Sequence, residues 1–75
     1  MASSNLYKYS EHAKYQKRRR SISNEEIEAC LSNHDTIHTD KKGNLVYRAR
    51  LVGGRGIKVV VAKDDPNYVI TVADY

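Results

Sequence analysis

After Asp35 the apolar residues alternate with polar ones, which is the period of a β-strand, and short polar segments interrupt the pattern. This alternation predicts four strands, at residues 36–39, 45–52, 57–63 and 68–74. The segments between them are short and rich in Gly, Asn, Asp and Pro, the residues that favour turns. A parallel crossover needs about a dozen residues or more, so these connections predict antiparallel neighbours.

A first helix is predicted before the sheet, over residues 9–19 with Ser10 as its N-cap. Its C-terminal end is strongly basic, and the cations are Lys14, Lys17, Arg18, Arg19 and Arg20. Cations near a helix C-terminus complement the helix dipole, so this run has a structural explanation as well as a functional one.

The second predicted helix has the clearest local signal in the chain. Ser23 and Glu26 have the spacing of a capping box, and Ile22 and Ile27 have the spacing of a hydrophobic staple. Asn33 is predicted to end this helix in a left-handed conformation.

The strand pattern also predicts which side chains share a face of the sheet. The expected pairs are Thr39 with Leu45, Leu51 with Ile57, Val61 with Ile70, and Val59 with Val72, because this register collects the apolar residues on one side. The expected fold is α+β, with two N-terminal helices packed on that face of a four-stranded antiparallel sheet. One domain is expected over residues 1–75, with residues 1–5 as a frayed N-terminus.

The opposite face is then predicted to be basic. It collects His38, Val46, Arg48, Arg50, Lys58, Val60, Val69 and Thr71. Cations on one face of a twisted sheet can bind the phosphate backbone of a nucleic acid. The competing interpretation is a solvated face without a ligand, since antiparallel sheets commonly turn one charged face to water.

Composition narrows the expected partners. The net charge of +4 favours a polyanion such as RNA, DNA or an acidic protein. The lone Cys30 excludes an internal disulfide and a cysteine-based zinc site, and three scattered histidines do not indicate a metal, so no cofactor is expected. No apolar run approaches the roughly 20 residues that span a bilayer, which predicts a cytoplasmic protein away from membranes.

Cleavage of RNA without a metal needs a base, an acid and cations for the phosphate. Histidine suits proton transfer near neutral pH, and Arg or Lys suits the phosphate charge. The residues that could supply this set are His12, His38, Arg48, Arg50 and Lys58. Catalysis requires His12 or His38 to lie near the cations, whereas a binding module requires only the cations.

Several short motifs resemble a known family. They are Ser10-Glu11-His12-Ala13, then Arg20-Ser21-Ile22-Ser23 leading into Glu26-Ile27, and finally Ile70-Thr71-Val72. Together they resemble the family catalogued as domain of unknown function 4258, over nearly the whole chain. Ser21 stands where that family usually has Gly, and Gln16 stands where Arg is common.

The resemblance implies a fold and an activity. The family is considered similar to the fold of barnase, EndoU-type nucleases, colicin ribonucleases and RelE toxins, in which helices precede an antiparallel sheet. The carried-over positions are His12, Arg20 and Thr71. The implied function is a toxin-like, metal-independent endoribonuclease in which His12 acts as acid or base, Arg20 and Arg48 hold phosphate, and Thr71 orients a group.

Two other functions stay open at this stage. A non-catalytic module would bind RNA or an acidic, antitoxin-like protein through the same basic residues, with Arg18 and Arg19 joining Arg48, Arg50 and Lys58. An accessory domain would have its site elsewhere in a larger assembly.

Overall fold

The computed structural model describes residues 7–51 and 53–74, which form two helices and one five-stranded mixed sheet. In chain order the elements are β1 (Lys8–Tyr9), α1 (Glu11–Arg20), α2 (Asn24–Ser32), β2 (Thr36–Thr39), β3 (Leu45–Arg50), β4 (Gly56–Ala62) and β5 (Asp65–Asp74). The strands lie in the spatial order β1-β5-β4-β3-β2. The expected frayed segment 1–5 lies outside the described residues.

The α+β class and the two helices are confirmed, but the strand count of the prediction is wrong. The fifth strand is β1, which pairs in parallel with β5 through Lys8 with Tyr68 and Tyr9 with Val69. Two residues are too few to show any period, so alternation could not reveal this strand. Because Tyr9 belongs to β1, the first helix begins at Glu11 and not at residue 9.

Ser10 joins the start of α1 to the sheet. Its Oγ accepts a hydrogen bond from the Ala13 N–H at 3.0 Å, as an N-cap does, and donates to the Ile70 carbonyl at 2.5 Å. The backbone N–H of Ser10 donates to the Val69 carbonyl at 3.0 Å. One residue therefore caps α1 and fixes it on β5.

The second helix starts as predicted. The Ser23 Oγ accepts from the Glu26 N–H at 3.1 Å, and the Glu26 carboxylate accepts from the Ser23 N–H at 2.9 Å. Ile22 and Ile27 are both buried, as the staple requires. The prediction for Asn33 is wrong: its φ of −129° is not left-handed, and its N–H donates to the Ala29 carbonyl.

The predicted register holds in part. Thr39 pairs with Leu45 and Val59 with Val72, whereas Ile57 pairs with Ala49 and not with Leu51. A shift of two residues leaves every side chain on its predicted face.

A register irregularity in the β4–β5 pairing overturns the predicted pair of Val61 with Ile70. Val61 pairs with Val69 instead, so Val69 lies in the core and not on the basic face where it was predicted. Alternation alone cannot anticipate such a bulge, because the extra residue interrupts the period.

The main core lies between the helices and one face of the sheet. Its buried members are Ala13, Ile22, Ile27, Cys30, Ala49, Ile57, Val59, Val61, Val69 and Val72. Val46 and Val60 are also buried but belong to the opposite side, because strand residues alternate between faces. Neither described helix is long and apolar enough to cross a membrane.

Candidate nucleic-acid interface

The face of the sheet turned away from the helices, which we term the outer face, is built from two rows of paired residues. One row runs His38, Val46, Val60, Thr71, and the next runs Thr36, Arg48, Lys58, Ala73. Arg50, which pairs with Gly56, lies two residues beyond Arg48 on β3 and adds a further cation to the same face. The structure therefore brings His38, Arg48, Arg50, Lys58 and Thr71 to one face, as the alternation predicts.

The outer face carries cations on β3 and β4 and a histidine on the adjacent β2. Its positions on β2, β3 and β4 carry Arg48, Arg50, Lys58 and His38 and no carboxylate. The Asp35 carboxylate lies at the border, where it accepts from the backbone N–H of Arg50 at 2.9 Å. The positive charge is thus concentrated without an acidic residue in its midst.

The groups on this face differ in how far they reach solvent. His38 and Arg50 are exposed, and Arg48, Lys58 and Thr71 are half-buried. The Arg50 guanidinium donates to the Gly54 carbonyl at 3.1 Å, which leaves further N–H donors on the same group. An extended anion lying across the strands would meet these groups.

His12 lies on the other layer of the molecule. It is an exposed residue of α1, which packs on the opposite face of the sheet from Lys58 and Thr71. Its side chain makes no hydrogen bond or ion pair with any residue in 7–51 or 53–74. The structure does not bring His12 together with the outer-face cations, so a proton-transfer role beside them lacks geometric support.

Arg20, the second position carried over from the family motif, is engaged within the fold. Its Nε donates to the Gln16 side chain at 3.0 Å, and its guanidinium pairs with Asp74 at 3.4 Å. Arg18 and Arg19 are exposed on α1 and lie on different sides of it, because successive helix residues are about 100° apart. Arg19 donates to the Tyr15 hydroxyl at 3.2 Å.

Arg55 is an important residue that the sequence reasoning missed. Its guanidinium donates to the backbone carbonyls of Arg20 and Ser21, at 2.5 and 3.1 Å. It also pairs with Glu26 at 3.4 Å and Asp74 at 3.3 Å. The only signal in the sequence was an arginine within a glycine-rich loop, which typically indicates no more than a hairpin.

Cys30 is a core residue and not a nucleophile. Burial raises the pKa of its thiol to about 11, and the nearby charge of Asp35 adds to the shift. Its Sγ lies 3.7 Å from the carbonyl oxygens of Tyr47 and Ile57. Within the described part of the chain, no three His, Cys, Asp or Glu side chains are grouped so as to hold a metal ion.

These observations define an α+β protein with helices on one side of its sheet and a basic surface on the other. The family model of the domain of unknown function DUF4258 matches residues 9–74, and the chain belongs to this family. No curated protein and no solved structure matches it. The similarity to RelE, barnase and related nucleases stays a prediction.

The structure gives most of the motif residues a structural role. Ser10 and Ser23 are helix caps, and Ala13, Ile22 and Ile27 are buried in the core. Of the three positions with an implied chemical role, Arg20 is ion-paired, and His12 and Thr71 lie on opposite sides of the sheet. The motifs therefore account for the fold more directly than for an activity.

Proposed function

We propose that this chain is a non-catalytic module that binds RNA through the outer face. The observation that carries the proposal is the grouping of the cations Arg48, Arg50 and Lys58 on β3 and β4, without a carboxylate among them and with His38 on the adjacent strand. Neighbouring strands lie about 4.8 Å apart, so these cations can follow successive phosphates of an extended strand.

Hydroxyl groups on the same face favour RNA over other polyanions. Thr36 lies in the row that holds Arg48 and Lys58, Thr71 lies in the adjacent row, and a hydroxyl can both donate to and accept from a ribose 2′-hydroxyl. His38, which is exposed, can do the same in its neutral form. A DNA strand, which lacks the 2′-hydroxyl, would have no corresponding group at the sugar.

Fluorescence anisotropy with a labelled single-stranded RNA tests the proposal over a series of salt concentrations. We expect the logarithm of the affinity to fall linearly with the logarithm of the salt concentration, because bound phosphates release their counterions. Lys58→Gln and Arg50→Gln should each weaken binding and reduce the slope by about 0.7, the value for one phosphate contact on a single strand.

The matched control is Lys63→Gln, which removes one exposed cation from the turn between β4 and β5. It should leave the slope unchanged. An equal loss in Lys63→Gln, or binding that does not respond to salt, contradicts the proposal. Tighter binding of an acidic protein such as polyglutamate than of RNA would favour the protein partner instead.

Metal-independent RNA cleavage is the second candidate, and one observation favours it. His38 shares the outer face with Lys58 and Thr71, so one proton-transfer group and one phosphate-binding group lie on the same surface. The test is cleavage of a mixed RNA pool in EDTA by the wild type, His38→Ala and His12→Ala. Cleavage that His38→Ala abolishes and His12→Ala retains would place a catalytic site on the outer face. Absence of cleavage in all three leaves the binding module.

A further inference from the structure

A second basic surface lies on the helical side of the molecule, in a cleft formed by β1, α1 and the segment that follows α1. The cleft has a volume of about 350 Å³ and is lined by Tyr9, Lys14, Lys17, Arg18 and Ile22. Three of these five residues are cations and none is a carboxylate. We propose that this cleft binds a phosphate monoester, either free or at the end of a larger molecule such as an RNA strand.

The three cations converge because of their spacing. Lys14, Lys17 and Arg18 stand at i, i+3 and i+4 of α1, which places them on one face of the helix. Like charges at this spacing destabilise a helix, and only part of the cost is offset by the helix dipole at the C-terminal turn. A bound dianion would remove the repulsion.

Lys17 is held in position within the cleft. Its ammonium lies 4.7 Å from the centre of the Tyr9 ring and donates a hydrogen bond to the Asn24 side chain. A fixed ammonium loses less conformational entropy on binding an anion than a free lysine does. The site is therefore partly organised before a ligand arrives.

The other two cations, Lys14 and Arg18, can donate hydrogen bonds to a ligand. Arg18 is exposed, and its guanidinium makes no hydrogen bond or ion pair with the described residues. The ion pair of Lys14 with Glu11 is 3.8 Å long, and the Glu11 side chain is 96% exposed, so water screens it strongly. Both side chains are available to a phosphate group, for which Arg offers several N–H donors.

Tyr9 can add a neutral donor to the site. Burial raises the pKa of its hydroxyl, and the charge of Glu28 adds to the shift, so the group stays protonated at neutral pH. Glu28 lines a neighbouring cleft together with Lys17, Ser23, Asn24 and Glu25. The negative charge of Glu28 lowers the affinity of the first cleft for an anion.

The inference is independent of RNA binding by the outer face, because the sheet separates the two surfaces. An NMR titration of the ¹⁵N-labelled protein at constant ionic strength tests it with inorganic phosphate, adenosine 5′-monophosphate and adenosine as probes. Phosphate and the nucleotide should shift the amide signals of Lys14, Lys17 and Arg18 and reach saturation, whereas adenosine should not. Tighter binding of the nucleotide than of phosphate would identify a nucleotide end as the source of the monoester.

Variants decide whether the cleft is responsible. Arg18→Gln should weaken phosphate binding by roughly five- to tenfold, the effect of one charge-assisted hydrogen bond at a partly exposed site. Glu28→Gln should strengthen it. Lys41→Gln, which removes an exposed cation from the turn between β2 and β3, and Lys58→Gln on the outer face should leave it unchanged.

Three results would overturn the proposal. They are saturation of the same signals by adenosine, an equal loss of affinity in Lys41→Gln, and phosphate shifts that do not saturate or that map away from the cleft. If Arg18→Gln unfolds the chain, Lys14→Gln tests the same prediction at an exposed residue whose own ion pair is long.

Discussion

Ser21 shows how a single residue can be ill-suited to its backbone conformation. It ends α1 in the left-handed region, with φ 55° and ψ 45°, and its N–H and that of Ile22 close the last turn on the Arg18 and Lys17 carbonyls. A side chain raises the energy of this conformation, and glycine avoids that cost. A glycine at position 21 would therefore suit this helix end better than serine does.

We expect Ser21→Gly to stabilise the fold by about 0.5–1 kcal/mol, because relief of the left-handed strain outweighs the added flexibility of the unfolded chain. Urea denaturation measures the change. The matched control is Ser32→Gly, which places glycine within helical backbone and should destabilise. A stability loss in Ser21→Gly would show that the serine side chain contributes something the cap geometry does not explain.

Cys30 illustrates how burial suppresses reactivity. Its raised pKa of about 11, against an ordinary value of 9.0, lowers the thiolate fraction at pH 8 by about a hundredfold. We expect a thiol reagent such as DTNB to react at least about a hundredfold more slowly with the native protein than with the urea-unfolded chain. Comparable rates in the two states would mean that Cys30 is accessible and that the core assignment is wrong.

At the scale of elements, Arg55 connects parts of the fold that are distant in sequence. The loop before β4 carries this guanidinium to the end of α1, the start of α2 and the end of β5. Its contacts satisfy carbonyl groups at the C-terminus of α1, which an α-helix leaves without partners. The loop is thus a structural clamp.

Arg55→Lys should destabilise the fold by about 1–3 kcal/mol, because a single ammonium cannot replace a planar group that donates in several directions. Urea denaturation again gives the value. Arg50→Lys serves as the comparison, since within the described residues that guanidinium makes one hydrogen bond, to the Gly54 carbonyl, and its loss should cost less. Equal effects of the two substitutions would argue against a clamp.

Elements formed by interactions between residues close in sequence could be predicted, whereas those that depend on distant residues could not. The capping box of Ser23 and Glu26 and the alternation of β3 and β4 are local, so the sequence was sufficient to predict them. The parallel pairing of β1, the irregularity beside Val61 and the contacts of Arg55 depend on residues far apart in the chain. No short pattern specifies such contacts.

At the scale of the whole molecule, the sheet divides the charged residues into two groups. Arg48, Arg50, Lys58 and His38 lie on the outer face, and the cations of α1 lie on the helical side. The sequence was sufficient to assign the outer-face residues, because side chains alternate along a strand. It could not place His12 relative to them, since that depends on how α1 packs against the sheet.

Binding of RNA to the outer face can be mapped by chemical shifts, with a ¹⁵N-labelled sample and a short single-stranded RNA. We expect the largest shifts on β2, β3 and β4, at His38, Arg48, Arg50 and Lys58, and we expect them to diminish as salt is added. Shifts confined to α1, or no shifts at low salt, would show that RNA does not bind the outer face.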